Sequence, residues 1–367
     1  MEKPGKTGGD WQAFLDVLRV AATLAVVLMH TVTGVRDGYF DLGDQGPVLN
    51  IFNALIDVTS WCVPIFLMIS GYLFLNPERK ITWEAALFRF CRRIVLALMI
   101  FGIPYALLEI VGYLGYFEWF MLPMAVKHVL RGHSWSHMWY LYLILILYAV
   151  TPLVKWLLEK LPRALVLGVM AALALGVGVI PFIEALLGVK DGFALPLDGI
   201  YPFYYLCGYV FVTRKKEPRR WEGMISAILF GVVLLIQIGC RFIEGYHVDM
   251  AYGYPLTILA AIFLFDFGWT REKSRKRKAE GSRKAEESRK AEGSRLQKMI
   301  SWLCPLCFGI YLIHPVFLNF FYKFLKITIL DFRFYVGILG FFFVTLVGSV
   351  AGTWLLRKIP FFKKYVL

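Results

Sequence analysis

Charged side chains are scarce in this sequence of 367 residues. Asp, Glu, Lys and Arg together make up 18% of it, while hydrophobic residues make up 59% and aromatic residues 17%. Soluble domains carry about 25% charged residues and do not leave so much apolar surface in water. The composition therefore excludes an ordinary soluble protein and predicts an all-α protein that crosses a membrane many times.

Cysteine patterns typical of metal sites or disulfide frameworks are also missing. The six cysteines are scattered, most of them within apolar stretches. Only Cys304 and Cys307 form a Cys-x-x-Cys pair, and no second pair accompanies them. We therefore interpret these two as small buried hydrophobic side chains and predict no metal cofactor.

Ten apolar stretches are candidates for membrane helices, since a span needs about 20 mostly apolar residues. They lie at residues 12–34, 50–75, 88–115, 137–154, 164–183, 199–213, 223–241, 251–268, 299–321 and 333–356. The sixth stretch is the shortest. We predict that the ten helices form a single membrane domain, residues 1–367.

The net charge of +14 is distributed as in a membrane protein rather than a nucleic-acid-binding one. With the N-terminus in the cytoplasm, 31 of the 40 Lys and Arg residues fall in cytoplasmic segments and eight in extracytoplasmic ones. This asymmetry follows the positive-inside rule. It predicts a multi-pass protein of the cell membrane, with both termini cytoplasmic, the lipid bilayer as a partner and no nucleic-acid partner.

The charged segment 271–298, between the eighth and ninth stretches, differs from the rest of the chain. It contains a repeat of "RKAEGS", whose period of six matches no helical period. A segment rich in charge and poor in apolar residues cannot build a core. We predict a solvated cytoplasmic linker.

Ionisable residues also occur inside the first stretch, although a charged side chain at the bilayer centre costs about 3 kcal/mol or more. Arg19 and His30 are eleven residues apart, which places both on one helix face about 16 Å apart along the axis. Asp16 lies close to the same face. A histidine alone would more often be a packing residue, but this aligned set favours a water-filled cavity or a site.

Three arginines, Arg89, Arg92 and Arg93, cluster in "FRFCRRI" where the third stretch enters the membrane. One interpretation is that they anchor the helix at the cytoplasmic face. The other is a phosphate clamp, because guanidinium groups match phosphate oxygens.

Further polar residues in other stretches complete the candidate site. Ser70 precedes Gly71, a pair that allows close helix approach. His314 lies roughly 22 Å above the cytoplasmic start of its stretch, near the depth of His30. The residues that we expect to support the site are Asp57, Ser70, His137, Trp139, Tyr311 and His314.

Five motifs, in chain order, resemble the signatures of the acyltransferase family 3 membrane proteins. They are "LDVLRVAATLAVVLMH", "VPIFLMISGYL", "FRFCRR", "HMWYL" and "FGIYLIHP". Each motif is weak alone, but together they span nearly the whole chain. The resemblance implies a ten-helix membrane fold, in bacteria, that moves an acyl group from acetyl-CoA to extracytoplasmic acceptors such as surface glycans or lipid-linked sugars.

The same resemblance implies roles for particular residues. Arg19 and His30 would form the catalytic pair, and Arg89 and Arg92, with Arg93 beside them, would hold the phosphates of coenzyme A. "HMWYLYLILILY" is not followed by the Glu-Glu-Gln stretch of one large branch, so the chain is closer to the surface-polysaccharide O-acyltransferases. Many relatives also carry an SGNH hydrolase-like domain, which this sequence lacks, so either the acceptor reaches the membrane site or a separate extracytoplasmic partner relays the acyl group.

Three functional hypotheses remain at this point, and the third is a sensory or biosynthetic membrane module that has kept the fold and lost the activity. In the first, His30 is the general base of an O-acyltransferase, because histidine is suited to proton transfer near neutral pH. In this hypothesis Arg19 stabilises developing or phosphate charge, and the distance between the two suits the long pantetheine arm. In the second, the ionisable groups line the pathway of a transporter for a small polar solute, although the two halves of the chain show no internal repeat.

Overall fold

The computed structural model describes residues 13–41, 46–189, 199–215, 217–246, 248–249, 251–280 and 295–367. Within these ranges the chain consists of helices and their connections, without a β-strand, so the all-α prediction is confirmed. Helical turns of the π or 3-10 type interrupt three of the helices, Ala85–Leu114, Arg163–Leu186 and Arg295–Lys323. The main helices are α1 (Ala13–Asp41), α2 (Pro47–Thr59), α3 (Cys62–Phe74), α4 (Ala85–Leu114), α5 (Met121–Leu130), α6 (Trp139–Lys160), α7 (Arg163–Leu186), α8 (Tyr201–Val212), α9 (Arg220–Cys240), α10 (Pro255–Glu280), α11 (Arg295–Lys323) and α12 (Phe334–Leu356).

Among the described residues, eight helical segments are long and apolar enough to cross a membrane, judged by length and composition. They correspond to all the predicted stretches except the sixth and the eighth. The sixth forms α8, which has only 12 residues, and the eighth forms α10, whose apolar part is followed at once by charged residues. The count of ten spans and the cytoplasmic position of the termini therefore stay predictions.

The second predicted stretch is broken into α2 and α3 at Ser60 and Trp61. Pro64 has no N–H to donate to the carbonyl group of Ser60, so the helix ladder cannot run through this point unchanged. The Ser60 hydroxyl donates to the carbonyl of Asp57 at 2.6 Å and lies 3.1 Å from the hydroxyl of Thr257 on α10. The polar groups of the turn thus have partners inside the protein, as a membrane interior requires.

Helices α3 and α8 pack with their backbones in direct contact. A Cβ atom at Gly71 would overlap the carbonyl oxygen of Tyr205, and one at Gly208 would overlap the backbone of Met68 and Tyr72. Membrane helices use such small residues because they allow dispersion contacts between closely spaced backbones. The expectation of a close helix approach at Ser70-Gly71 is therefore confirmed.

Helix α10 continues beyond the predicted end of its stretch, as far as Glu280, and α11 begins at Arg295. The side chains of Glu272 and Ser274 are buried, and Glu272 pairs with Arg275 at 3.1 Å. The first part of 271–298 therefore continues α10 as a helix with two buried side chains, while the linker assignment of the segment as a whole stays a prediction. The repeat residues 281–294 lie outside the described residues.

The glycine crossing leads to a stability prediction. We expect Gly71→Ala and Gly208→Ala each to lower the melting temperature in detergent, because the added methyl group meets rigid backbone, and overpacking of this kind costs about 1–3 kcal/mol. Gly112→Ala and Gly231→Ala are matched controls, since a Cβ atom there meets nothing within 4 Å. Equal melting temperatures for the two pairs of variants would contradict the packing described.

Candidate active site

Three histidines from distant parts of the chain meet inside the helix bundle. His30 lies on α1, His314 on α11, and His137 in the 3-10 turn Ser136–Met138 before α6. The ring centroids are 5.1 Å apart for His30 and His314, 5.5 Å for His137 and His314, and 6.4 Å for His30 and His137. His314 is fully buried and His137 is 3% exposed. We call these three residues the histidine cluster.

Hydrogen bonds at His314 define which of its ring nitrogens is protonated. Nδ1 lies 2.8 Å from the carbonyl oxygen of Tyr311 and 3.2 Å from that of Ile310. Because a carbonyl oxygen only accepts, Nδ1 of the neutral ring carries the proton and Nε2 is left with a free lone pair. In the part of the chain that the structure describes, Nε2 of His314 and both ring nitrogens of His137 have no hydrogen-bond partner. Buried nitrogens of this kind are uncommon and indicate that the cluster receives a ligand or water.

Two tyrosines surround His137. The Tyr311 hydroxyl donates to the carbonyl group of His137, and the Tyr105 hydroxyl donates to that of Leu312 at 2.7 Å. The ring centroid of His137 is 5.3 Å from that of Tyr105 and 5.7 Å from that of Tyr311. Tyr311 thus holds the turn before α6 against α11, and Tyr105 joins α4 to α11 beside the imidazole of His137.

Arg19 lies at the other end of the same face of α1. Its Nη1 atom is 3.2 Å from Asp16 Oδ1 and 3.2 Å from the sulfur of Cys304, which in turn lies 3.0 Å from Asp16 Oδ1. Cys304 is buried as expected, but its thiol contacts charged groups and is not simply a hydrophobic side chain. Since Cys304 and His314 both belong to α11, Arg19 and His30 face the same neighbouring helix.

Polar side chains occupy the interior between Arg19 and the histidine cluster. Ser70 on α3 interacts with the hydroxyl groups of Tyr140 and Tyr148 on α6, and the charge of Arg19 acts on both tyrosines. The ring of Tyr140 is 5.9 Å from that of Tyr311, which contacts His137. We call Ser70, Tyr140 and Tyr148 the polar seam. Sequence reasoning selected Ser70 but missed the two tyrosines, whose only signal was a hydroxyl group within an apolar stretch.

The three arginines at the start of α4 are exposed and stand against aromatic rings. Among the described residues no carboxylate forms an ion pair with them, and Arg93 Nε donates to the carbonyl group of Val366 at 3.0 Å. The guanidinium carbons lie 5.2–5.7 Å from ring centroids, Arg89 over Phe90, Arg92 over Tyr365 and Arg93 over Phe308.

Other cations extend this basic surface and connect it to the seam. Burial lowers the pKa of Arg79, and the charge of nearby Arg89 lowers it further. Arg93 acts on Tyr148 at the lower end of the polar seam. The surface therefore carries positive charge without neutralising carboxylates, which is the condition for binding phosphate.

Asp57 is engaged in a buried ion pair. Its two carboxylate oxygens accept hydrogen bonds from Arg241, from Nε at 2.5 Å and from Nη2 at 2.9 Å, and only 1% of Asp57 is exposed. Arg241 also pairs with Asp249 at 3.0 Å. This arrangement joins α2 to the end of α9 and gives Asp57 a structural task, while its part in supporting the site stays a prediction.

Trp139 lies between two cavities near the end of the bundle that we predict to be extracytoplasmic. It lines the larger cavity, of about 780 Å³. Its ring also lies 5.3 Å from Tyr201 and 5.8 Å from Tyr252, which line a smaller cavity of about 360 Å³. Within the described ranges, no three His, Cys, Asp or Glu side chains are grouped so that they could hold a metal ion.

Comparison with known proteins adds one finding to this geometry. The chain matches the model of the protein family described as an acyltransferase domain over residues 12–358, a range that includes every helix from α1 to α12. No curated protein and no solved structure matches the chain significantly.

The Asp57–Arg241 pair leads to a prediction that separates stability from activity. Asp57→Ala should lower the free energy of unfolding by about 3 kcal/mol, because it leaves a buried guanidinium short of its main partner. Asp249→Ala, at an exposed position, should cost less than about 1 kcal/mol. Thermal unfolding in detergent measures both, and the double variant Asp57→Leu with Arg241→Met should recover most of the loss. A stable Asp57→Ala protein without acyl transfer would instead make Asp57 part of the reaction.

Proposed function

We propose a specific reaction for this chain, which belongs to the acyltransferase family 3 because that family's model covers nearly its whole length. The resemblance inferred from the motifs is thereby confirmed, and the protein is a multi-pass membrane acyltransferase. In our proposal it moves an acyl group, acetyl by default, from cytoplasmic acyl-CoA to a hydroxyl group of an extracytoplasmic acceptor. The acceptor is a cell-surface glycan or a lipid-linked sugar.

The observation that carries this proposal is the row of polar groups through the bundle. The basic surface of α4 lies at one end of the row, the polar seam in the middle and the histidine cluster at the other end. An acyl donor with a phosphorylated nucleotide and a long amide-containing arm needs cations at its head and hydrogen-bonding groups along its arm. The row supplies both, in that order.

Arg19 belongs to the donor end of this row. Eleven helical residues separate it from His30, about 16 Å along the axis, so the two side chains do not act on the same atom. Its contact with Asp16 keeps the guanidinium in place. We assign Arg19 to the phosphate or amide groups of the donor and His30 to the reacting thioester.

Proton transfer at the histidine cluster completes the reaction. His30 takes the proton of the acceptor hydroxyl as the oxygen attacks the thioester carbon, the new C–O ester bond forms and the C–S bond breaks. The proton then passes to the departing thiolate, and coenzyme A leaves as the thiol. His314, with its lone pair at Nε2, is the rival for the same role, since its ring is in contact with that of His30.

Charge reversal tests the donor end. We expect Arg89→Glu and Arg92→Glu each to weaken acyl-CoA binding about tenfold or more, because a charge-assisted contact becomes a repulsion. Lys215→Glu and Arg219→Glu are the controls, since these residues are exposed cations of another segment that we also predict to be cytoplasmic. Isothermal titration with acyl-CoA measures the dissociation constants, and equal losses at both places would reduce the three arginines to a membrane anchor.

Substitution of the histidines tests the base. His30→Ala should lower acyl transfer by at least about 100-fold, the usual contribution of a positioned base, and leave acyl-CoA binding nearly unchanged. His314→Ala should be impaired less, if its ring only orients His30. Activity with His30→Ala close to that of the unmodified protein, together with an inactive His314→Ala, would transfer the role of base to His314. Release of coenzyme A without acceptor, followed with a thiol reagent, distinguishes an acyltransferase from a transporter.

A further inference from the structure

We propose that the larger outer cavity binds the sugar ring of an acceptor attached to a membrane lipid through phosphate. This inference rests on the proposed function and adds the place and chemical class of its second substrate. The cavity, of about 780 Å³, is open to the surface and is lined by the end of α4, by α5 and by the turn before α6. Its size lies in the usual range of ligand sites.

The lining combines the two kinds of group that a sugar requires. Trp135 and Trp139 offer indole faces, against which the C–H face of a pyranose ring packs. Glu109 and Arg131 offer an acceptor and a donor for hydroxyl groups, and two imidazoles can do either. The polar and aromatic residues that line the cavity include Glu109, His128, Arg131, His133, Trp135 and Trp139.

Two rings in succession, those of Trp135 and Tyr105, separate the cavity from the histidine cluster. The ring centroid of Trp135 is 4.9 Å from that of Tyr105, which is 5.3 Å from that of His137. The Tyr105 hydroxyl is bonded to the carbonyl group of Leu312 at 2.7 Å, whereas Trp135 is only half-buried. Rotation of the Trp135 side chain is therefore the easier of two movements, and displacement of the Tyr105 ring completes the path from the cavity to the cluster.

Exposed aromatic residues beside the cavity indicate that its ligand comes from the membrane. Tyr113 is 89% exposed and also lines the cavity, and Trp119 is 81% exposed. Tyrosine and tryptophan prefer the level of the lipid headgroups, so the mouth of the cavity opens at that level. Lys127 and Arg131 are exposed at the end of α5. Their positive charges can attract the phosphate group of a lipid. A sugar carried on a lipid phosphate fits these aromatic and basic surroundings better than a soluble saccharide does.

Photo-crosslinking in native membranes tests the occupant. The amino acid p-benzoylphenylalanine is introduced in place of Met124, which lines the cavity, or of Leu122, which is similarly exposed on α5 but does not line it. After irradiation of cells, mass spectrometry of the purified protein should find a phosphate lipid bearing a sugar at position 124, and only sugar-free lipids at position 122. Sugar-free lipids at both positions, or a sugar without lipid at position 124, would overturn the proposal.

Lining variants with matched controls test the contacts. In the Met124 crosslinking background, Trp135→Ala should reduce the sugar-lipid adduct about tenfold, the effect of losing one aromatic contact of ordinary strength. Trp119→Ala, on the same face but outside the cavity, should leave the adduct unchanged. If Trp135→Ala does not fold, the same comparison of adduct yields is made with two exposed residues. Glu109→Gln is then the lining variant and Glu118→Gln its control. Unchanged adducts in both lining variants would contradict the assignment.

The experiments can disprove the proposed function without disproving the cavity assignment, and they can disprove the cavity assignment without disproving the proposed function. Acyl-CoA binding by the same purified variants reports on the donor end alone. A protein that captures the sugar lipid but binds no acyl-CoA would disprove the transfer reaction. A protein that binds acyl-CoA but gives no sugar-lipid adduct would be consistent with the proposed reaction and would disprove the assignment of the acceptor to this cavity.

Discussion

The contact between α1 and α11 is the interaction on which the rest of the candidate site depends. At one end it joins Arg19 and Asp16 to the thiol of Cys304, and at the other it brings the rings of His30 and His314 together. A polar group buried in a bilayer has no water to bond to and must find its partners in the protein. The two helices supply such partners to each other, and their polar faces thereby form the two ends of the interior row of polar groups.

The arginine side chains of the protein occur in two different environments. Arg241 is buried with two carboxylates and an aromatic ring around it, so its charge is cancelled where it stands. The arginines of α4 are exposed, rest on aromatic rings and have no such carboxylates in the described chain. The first arrangement holds helices together, and the second keeps charge available for an anion. Sequence position alone did not separate them, since all of these residues stand near the ends of apolar stretches.

Much of the helical framework could be predicted because a membrane helix requires a long run of apolar residues, which the sequence shows directly. The helical period of 3.6 residues also predicts that Arg19 and His30 share one face of α1. The depth of His314 could also be predicted, by counting residues from the end of its stretch. His137 could be selected, but its approach to the other two rings depends on the tertiary packing of α6 against α11. The tyrosines of the polar seam were missed for the same reason. The break before α3 follows from Pro64, whereas no local pattern reveals that α10 continues past its apolar part with Glu272 and Ser274 buried.

The stretch of α1 from Arg19 to His30 contains neither glycine nor proline, and it acts as a rigid spacer. Adding or removing one residue there would turn His30 by about 100° relative to Arg19 and shift it by about 1.5 Å. Exchanging one apolar residue for another of similar volume would change neither quantity. The length of this segment therefore matters to the site more than its composition does. The number of residues between Arg19 and His30 sets both the separation and the relative direction of the two side chains.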